Sequence, residues 1–143
     1  EATIPVVLLP SVICSDLNEN IRVGGLVHEA AVKEGKKVVY LGSCALAHKV
    51  VRGPHLWPSQ EHMDTDKKLI SMFCDGEIDA LIDWLPAYAH DVVTEMGGRP
   101  LAGMLGATAA MAGDTGRVRG KQWGPYGQSS GSGNASICVL PAD

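Results

Sequence analysis

The sequence predicts an α/β fold with a strand–helix–strand unit at the start, a helical middle and a closing β segment. Two short apolar runs, at 4–10 and 38–41, flank a stretch with helical spacing of apolar residues. A last apolar run, at 135–140, follows a glycine-rich region. With 143 residues, of which 45% are apolar, the chain is expected to form one domain over 1–143.

The first of these elements are two strands around one helix. The continuous runs IPVVLLP at 4–10 and VVYL at 38–41 are typical of strands buried on both faces. Between them, Ser15 and Asp16 offer N-cap oxygens to a helix over 17–34, and Gly35 is a plausible stop. Because a strand, a helix and a strand follow one another, we expect a parallel pair of strands, which would belong to a larger mixed sheet.

The middle of the chain is predicted to be helical. A loop rich in His, Pro and Gly occupies 42–60, and it begins where the second strand ends, at the edge of a sheet where ligands bind. Helices are expected over 61–74 and 77–95, the second kinked or split at Pro86 and stopped by Gly97 and Gly98.

The last third combines a buried helix with a closing strand. Small and apolar residues at 101–112 predict a helix packed close to its neighbours. The region 113–133 is glycine-rich, and its Ser/Gly run at 128–133 is short enough to be a turn. The apolar run ASICVL at 135–140 predicts the last strand.

Composition excludes several classes of function. The net charge is −4, and the 12 Lys and Arg residues are scattered, which argues against a nucleic-acid groove and against a polybasic membrane surface. No apolar run approaches the roughly 20 residues of a membrane span, and no basic flank precedes an apolar stretch near Glu1. The 4 cysteines contain no CxxC pair, so free thiols in a reducing cytoplasm are expected rather than a disulfide scaffold.

Three residues are candidates for chemistry. His48 follows the second predicted strand and could act as a general acid or base near neutral pH, or be an incidental loop residue. Tyr126 could donate a hydrogen bond in a cleft or anchor a turn. Glu95 is predicted at the carboxyl end of a helix, where the dipole is negative, so it requires a cation. The residues alone favour Arg99 over a metal.

A metal site within the chain is the other possibility. His48, His55 and His62 are spaced by seven residues, with Glu61 and Asp64 beside the last. Imidazoles and carboxylates are metal-ligand types. The alternative is that these are solvated residues of a loop and of a helix start.

Four segments together resemble one known family. They are IPVV at 4–7, VVYLGSCALAH at 38–48, EMGGRPLAGMLGA at 95–107 and YGQSSGSGNASICV at 126–139. In this order and spacing they resemble the carboxyl-terminal half of the class III extradiol ring-cleaving dioxygenases, and most of all the 2-aminophenol 1,6-dioxygenase branch.

The resemblance implies a mechanism and a set of roles. The family uses non-haem Fe(II), held by two histidines and one carboxylate, to cleave a catechol or 2-aminophenol-like ring with O2; these ligand types would also accept Mn(II). By resemblance, Glu95 is the carboxylate ligand and His48 the acid/base. Tyr126, in the closing segment, is kept with His48 as a candidate catalytic residue.

The resemblance also implies a missing part. In the family both metal histidines lie in the amino-terminal half, and His55 and His62 fall outside its ligand motifs. We therefore expect a second protein chain, or a missing half of this one, to supply two histidines. The alternatives are a structural subunit without catalysis, and a self-contained hydrolytic metal site built from His48, His55, His62 and Glu95. The branch includes silent subunits that lack the equivalents of His48 and Glu95, so their presence favours the active type.

Overall fold

The computed structural model describes residues 3–50, 53 and 55–142. In chain order its elements are α1 (Leu17–Lys33), α2 (Gln60–Asp75), α3 (Ile78–Asp91), a 3-10 turn (Glu95–Gly98), α4 (Arg99–Thr115), β1 (Val118–Ser129) and β2 (Ser132–Pro141). The mixed α/β class, the helical middle and the closing β segment are therefore confirmed.

Local capping signals explain where the helices begin and end. Asp16 is the N-cap of α1: its side chain accepts from the Glu19 N–H at 2.7 Å, and the Glu19 carboxylate accepts from the Asp16 N–H at 2.8 Å. Gly35 and Gly76 follow α1 and α2 with φ of +58° and +76°, a conformation that glycine adopts without strain. The helix predicted over 61–74 is α2, one residue longer at each end.

The helix predicted over 77–95 is shorter than expected. It runs through Pro86 without being split, and it ends at Asp91, before Val93 takes the left-handed φ of 53°. Glu95 therefore begins a separate 3-10 turn rather than closing a helix. The helix predicted over 101–112 is α4, which begins earlier, at Arg99.

Glycines allow α1 and α4 to pack with their backbones in contact. A Cβ at Gly24 of α1 would overlap the carbonyl oxygen of Gly103, and a Cβ at Gly106 would overlap the carbonyl oxygen of Ile21. The two helices therefore approach more closely than any larger residue would permit.

The two strands form an antiparallel hairpin. Ser130 and Gly131 connect them with φ of 53° and 87°, the pair of positive angles that a two-residue type I′ turn requires. This confirms the predicted turn and the strand predicted over 135–140. The long partner strand β1, within the region predicted only as glycine-rich, was missed.

The register of the hairpin changes near its middle. Trp123 pairs with Ser136, and the next pair is Gly127 with Asn134, so three residues of β1 face the single residue Ala135. Such a bulge bends the strand and redirects a side chain, here that of Tyr126.

The hydrophobic core lies where α2, α3 and α4 meet the inner face of the hairpin. Its largest fully buried apolar side chains are those of Tyr88, Phe73, Leu69, Leu81, Leu85, Leu105 and Val92.

The two strands predicted at 4–10 and 38–41 are not formed in the described part of the chain. Both runs lack strand pairing, and Ile4 and Val39 are 87% and 90% exposed instead of buried. The physical reason is that a strand exists only through hydrogen bonds to a neighbouring strand, and the only described ladder is that between β1 and β2. The predicted parallel pair is therefore wrong for this chain by itself.

Two further expectations concern the whole molecule. The cysteines Cys14, Cys44, Cys74 and Cys138 are free thiols, as expected. Among the helices that the structure describes, none combines the length and the hydropathy needed to cross a membrane.

The contact between α1 and α4 yields a stability test. We expect Gly106→Ala to destabilise the fold by about 1–3 kcal/mol, because the added methyl forces two helix backbones apart. Gly113→Ala in the same helix is the matched control, since a Cβ there meets nothing within 4 Å. The control should be stabilised by about 0.5–1 kcal/mol through helix propensity. Urea unfolding of both variants measures the difference, and equal effects would contradict close packing.

Candidate functional site

A loop of irregular backbone, residues 44–48, lies at the centre of the candidate site; we call it the anchored loop. Its residues Ala45, Leu46 and Ala47 are 8%, 4% and 0% exposed. The Leu46 N–H donates to the Gly133 carbonyl at 2.9 Å, and the Gly133 N–H donates to the Ala47 carbonyl at 2.8 Å. This pair of bonds attaches the loop to the start of β2.

The other peptide N–H groups of the anchored loop bond to three further elements. The Ala45 N–H donates to Glu95 Oε2 at 2.6 Å, and the His48 N–H donates to the Val92 carbonyl at 3.2 Å. The Ala47 N–H donates to a carboxylate oxygen of Asp66 in α2 at 3.2 Å. Every peptide donor from 45 to 48 therefore has a partner, and the loop is fixed without being helix or strand.

Glu95 lies in the turn that leads into α4, and one of its carboxylate oxygens accepts a hydrogen bond from the anchored loop. Its other oxygen, Oε1, has no hydrogen-bond partner among the described residues. The ion pair with Arg99 that the residues alone favoured is not formed: the Arg99 guanidinium donates to the carbonyls of Ser15 and Met96, each at 2.7 Å. Because Glu95 precedes α4, it lies on the side of the positive helix end, and the expected dipole conflict is absent.

His48 is partly buried, with one ring nitrogen engaged. Its Nδ1 lies 2.9 Å from the hydroxyl oxygen of Ser132, which is itself 5% exposed. Its Nε2 has no hydrogen-bond partner in the described part of the chain. An imidazole fixed through one nitrogen, with the other available, is the arrangement of a general acid or base.

Asp66 is a fully buried carboxylate that accepts hydrogen bonds from three donors. Besides the Ala47 N–H, it accepts the Tyr88 hydroxyl on Oδ1 at 2.8 Å and the Tyr126 hydroxyl on Oδ2 at 2.6 Å. Burial raises the pKa of Asp66, and it outweighs the lowering by these bonds and by nearby His62. Burial and the adjacent carboxylate likewise raise the pKa of both tyrosines.

The position of Tyr126 follows from its neighbours. The bulge in β1 directs it inward, its hydroxyl donates to Asp66, and its ring centroid lies 6.4 Å from that of Trp57. Gly133 makes room for this pair, because a Cβ there would overlap both the Tyr126 hydroxyl and Asp66 Oδ2. The hydroxyl hydrogen is thus directed at Asp66.

Cys44, at the start of the anchored loop, is a protonated thiol at neutral pH. Burial, and secondarily the charge of Glu95, raise its pKa to about 12. Since the thiolate is the nucleophile and the metal ligand, Cys44 is suited to neither task near neutral pH.

The residues of the self-contained metal hypothesis are not gathered into one site. In the ranges that the structure describes, no three His, Cys, Asp or Glu side chains are arranged to bind a metal ion. His55 is exposed on its loop, and His62 lies at the start of α2. The available oxygen of Glu95 suits one ligand position of an iron centre, but the described residues do not complete a two-histidine, one-carboxylate set.

Three residues of the site were missed from the sequence: Asp66, Tyr88 and Ser132. Asp66 carried a usable signal, because it lies on the same face of α2 as Leu69, Ile70 and Phe73, at spacings of three, four and seven residues. An acid within the apolar stripe of a helix indicates a buried, hydrogen-bonded group.

No protein-family model matches this chain, and no curated protein is detectably similar to it.

Because burial raises the pKa of Asp66, stability depends on pH with a definite sign. An acid whose pKa in the folded chain exceeds the ordinary value of 3.8 binds more protons when folded than when unfolded. Its contribution to the free energy of unfolding therefore falls as the pH rises from 3.8 through the folded-state pKa. Relative to Asp66→Asn, which cannot ionise, the native chain should lose stability from pH 4 upward, by at most about 1.4 kcal/mol per pH unit. Urea unfolding over this range measures the difference. Asp83→Asn, at an exposed position of α3, controls for the loss of one negative charge. A constant difference between native chain and Asp66→Asn would contradict the effect of burial.

Proposed function

We propose that this chain is the carboxyl-terminal half of an extradiol-type dioxygenase acting on a catechol or 2-aminophenol-like ring. One observation carries the proposal. The anchored loop fixes both Glu95 and His48, and it leaves one carboxylate oxygen and one imidazole nitrogen without partners among the described residues. The resemblance of 38–48 and 95–107 implies a metal ligand at Glu95 and an acid/base at His48, and here His48 belongs to the loop to which Glu95 is bonded.

The chain's own residues divide the work in this proposal. The bound Fe(II), or Mn(II), would supply a centre at which the aromatic substrate and O2 meet and exchange electrons. Glu95 Oε1 would be the ligand, oriented by the bond from the Ala45 N–H to Oε2. His48 Nε2 would take a proton from a substrate hydroxyl and return it later, while Ser132 fixes the ring through Nδ1. Tyr126 stays a candidate catalytic residue, and its hydroxyl donates to Asp66.

The proposal includes a partner that supplies two histidine ligands. Within the described part of the chain, the apolar runs at 4–10 and 38–41 have no strand pairing, and all of their residues except the half-buried Tyr40 are exposed, as expected of strands whose sheet lies elsewhere. A second chain, or the rest of a longer one, would add strands to these runs and complete a mixed sheet. The free cysteines support a reducing, cytoplasmic setting for such a complex.

The metal role of Glu95 is tested by substitution in the complex purified without oxygen. We expect Glu95→Gln to lose bound iron and O2 consumption together, because a neutral amide is a poor iron ligand. Glu29→Gln, an exposed position of α1, is the control and should retain both. Iron analysis and an oxygen electrode provide the measurements. Full iron and activity in Glu95→Gln would refute the assignment.

The acid/base role of His48 predicts a different outcome. His48→Ala should keep iron but lose turnover on the order of 10²-fold or more, because proton transfer is removed while the ligand remains. His90→Ala, with its side chain 89% exposed, is the matched control. Loss of iron in His48→Ala would mean that the residue is a ligand instead, and unchanged turnover would remove it from catalysis.

The exposed runs predict where the partner binds. Val39→Lys should weaken the complex roughly tenfold or more, since a charge would be buried in the new sheet. Leu140→Lys is the control: it is 60% exposed, on the outer face of the hairpin. Native mass spectrometry measures both the association and the metal. A metal-free complex would favour the structural-subunit hypothesis, and equal weakening by the two variants would contradict a sheet at 38–41.

A further inference from the structure

We propose that Asp66 is a positioning residue, which sets the orientation of the His48 imidazole through its hydrogen bond to the Ala47 N–H. The importance of His48 rests on the proposed function, but the bond and its effect on the imidazole do not. Asp66 lies in α2, far from His48 along the chain, and no chemistry of its own is assigned to it.

Two short routes connect the Asp66 carboxylate to the imidazole. The first is the backbone itself: the Ala47 N–H donates to Asp66 Oδ2, and the next N–H along the chain, that of His48, donates to the Val92 carbonyl. The second passes through β2: the Ala47 carbonyl accepts from the Gly133 N–H, and the adjacent Ser132 hydroxyl contacts His48 Nδ1. A shift of Ala47 would therefore alter both the backbone and the ring contact of His48.

The carboxylate is itself fixed from two other directions. Tyr88 of α3 donates to Oδ1 and Tyr126 of β1 donates to Oδ2, so four elements meet at one fully buried group. Charge-assisted bonds of this kind are short and directional. Oδ2 is shared by Tyr126 and Ala47, and a change at the tyrosine is therefore transmitted to the loop.

A packing role alone does not account for a carboxylate at this position. A buried acid carries a desolvation penalty, and an apolar residue of similar volume stabilises a core at least as well. Leucine in place of Asp66 would fill the space but accept no hydrogen bond. An asparagine would retain one oxygen for Ala47 and Tyr126, with its amide facing the Tyr88 hydroxyl, which can also accept.

The experiment compares Asp66→Leu with Asp66→Asn by NMR, using the full chain without metal. Two signals report on the site: the ring ¹⁵N shifts of His48, which reflect its tautomer and hydrogen bonding, and hydrogen exchange at the Ala47 amide. We expect Asp66→Leu to change the His48 shifts and to accelerate Ala47 exchange roughly tenfold or more, on the strength of a charge-assisted bond. Asp66→Asn should restore both signals most of the way to native. Native-like signals in Asp66→Leu, or no rescue by Asp66→Asn, would overturn the proposal.

A second pair of variants decides the matter if Asp66→Leu does not fold. Tyr126→Phe leaves Oδ2 with the Ala47 N–H as its one described donor, so that bond should strengthen and the Ala47 amide proton should move downfield. Tyr88→Phe removes the donor to Oδ1 and should move it less. An unmoved Ala47 signal in Tyr126→Phe would refute the coupling. Because these signals require no metal or turnover, they stand or fail independently of the Glu95 test.

Discussion

The hydrogen bonds of the anchored loop are the constraint on which the candidate site depends. A buried segment that is neither helix nor strand cannot satisfy its own peptide groups, so its donors must find acceptors elsewhere. Here α2, the segment after α3, the turn before α4 and the hairpin each supply one. The position of His48 and the orientation of the Glu95 carboxylate are therefore consequences of how four elements pack, and neither could be maintained by the loop alone.

The same constraint explains why a carboxylate is buried at the centre of the fold. Asp66 is the hydrogen-bond acceptor on α2. Desolvation destabilises its ionised form and raises its pKa, although three donors bond to the carboxylate. The hydroxyls of the two tyrosines partly offset the desolvation of the carboxylate, and their hydrogen bonds connect Asp66 to α3 and β1. Gly133 is required in turn, because the tyrosine and the carboxylate occupy the space of its missing side chain. A bulge, a glycine and a buried acid thus form one arrangement.

Local interactions account for what could be predicted from the sequence. Helices satisfy their hydrogen bonds internally, so spacing and caps such as Asp16 and Gly35 sufficed to place them within a few residues. The strand β1 was missed because its three glycines and its proline interrupt the alternation that is typical of a strand. The runs at 4–10 and 38–41 were assigned a pairing that the described chain lacks, because a strand requires a partner that a run of apolar residues does not identify. Glu95 was predicted within a helix because the sequence does not indicate that α3 ends early. Val93 takes a positive φ there, and it is not a glycine. The segments around His48 and Glu95 singled out those two residues as candidates. Asp66 carried a signal as an acid within the apolar stripe of α2, but its hydrogen-bond partners are evident only in the packed structure.

The exposed run at 38–41 and the available carboxylate oxygen of Glu95 lie on the same part of the molecule. The run at 38–41 lies along α4: the Tyr40 hydroxyl occupies the space above Gly103, and Gly42 lies against Met104. The anchored loop follows directly, with Glu95 bonded to its Ala45 N–H. In the proposed complex, a partner strand running parallel to 38–41 would end next to Glu95, at the edge where parallel strands present their carboxyl ends to ligands. In that complex, one docking event would cover the exposed apolar run and bring partner side chains to the available carboxylate oxygen, so a single interface would serve both the sheet and the site.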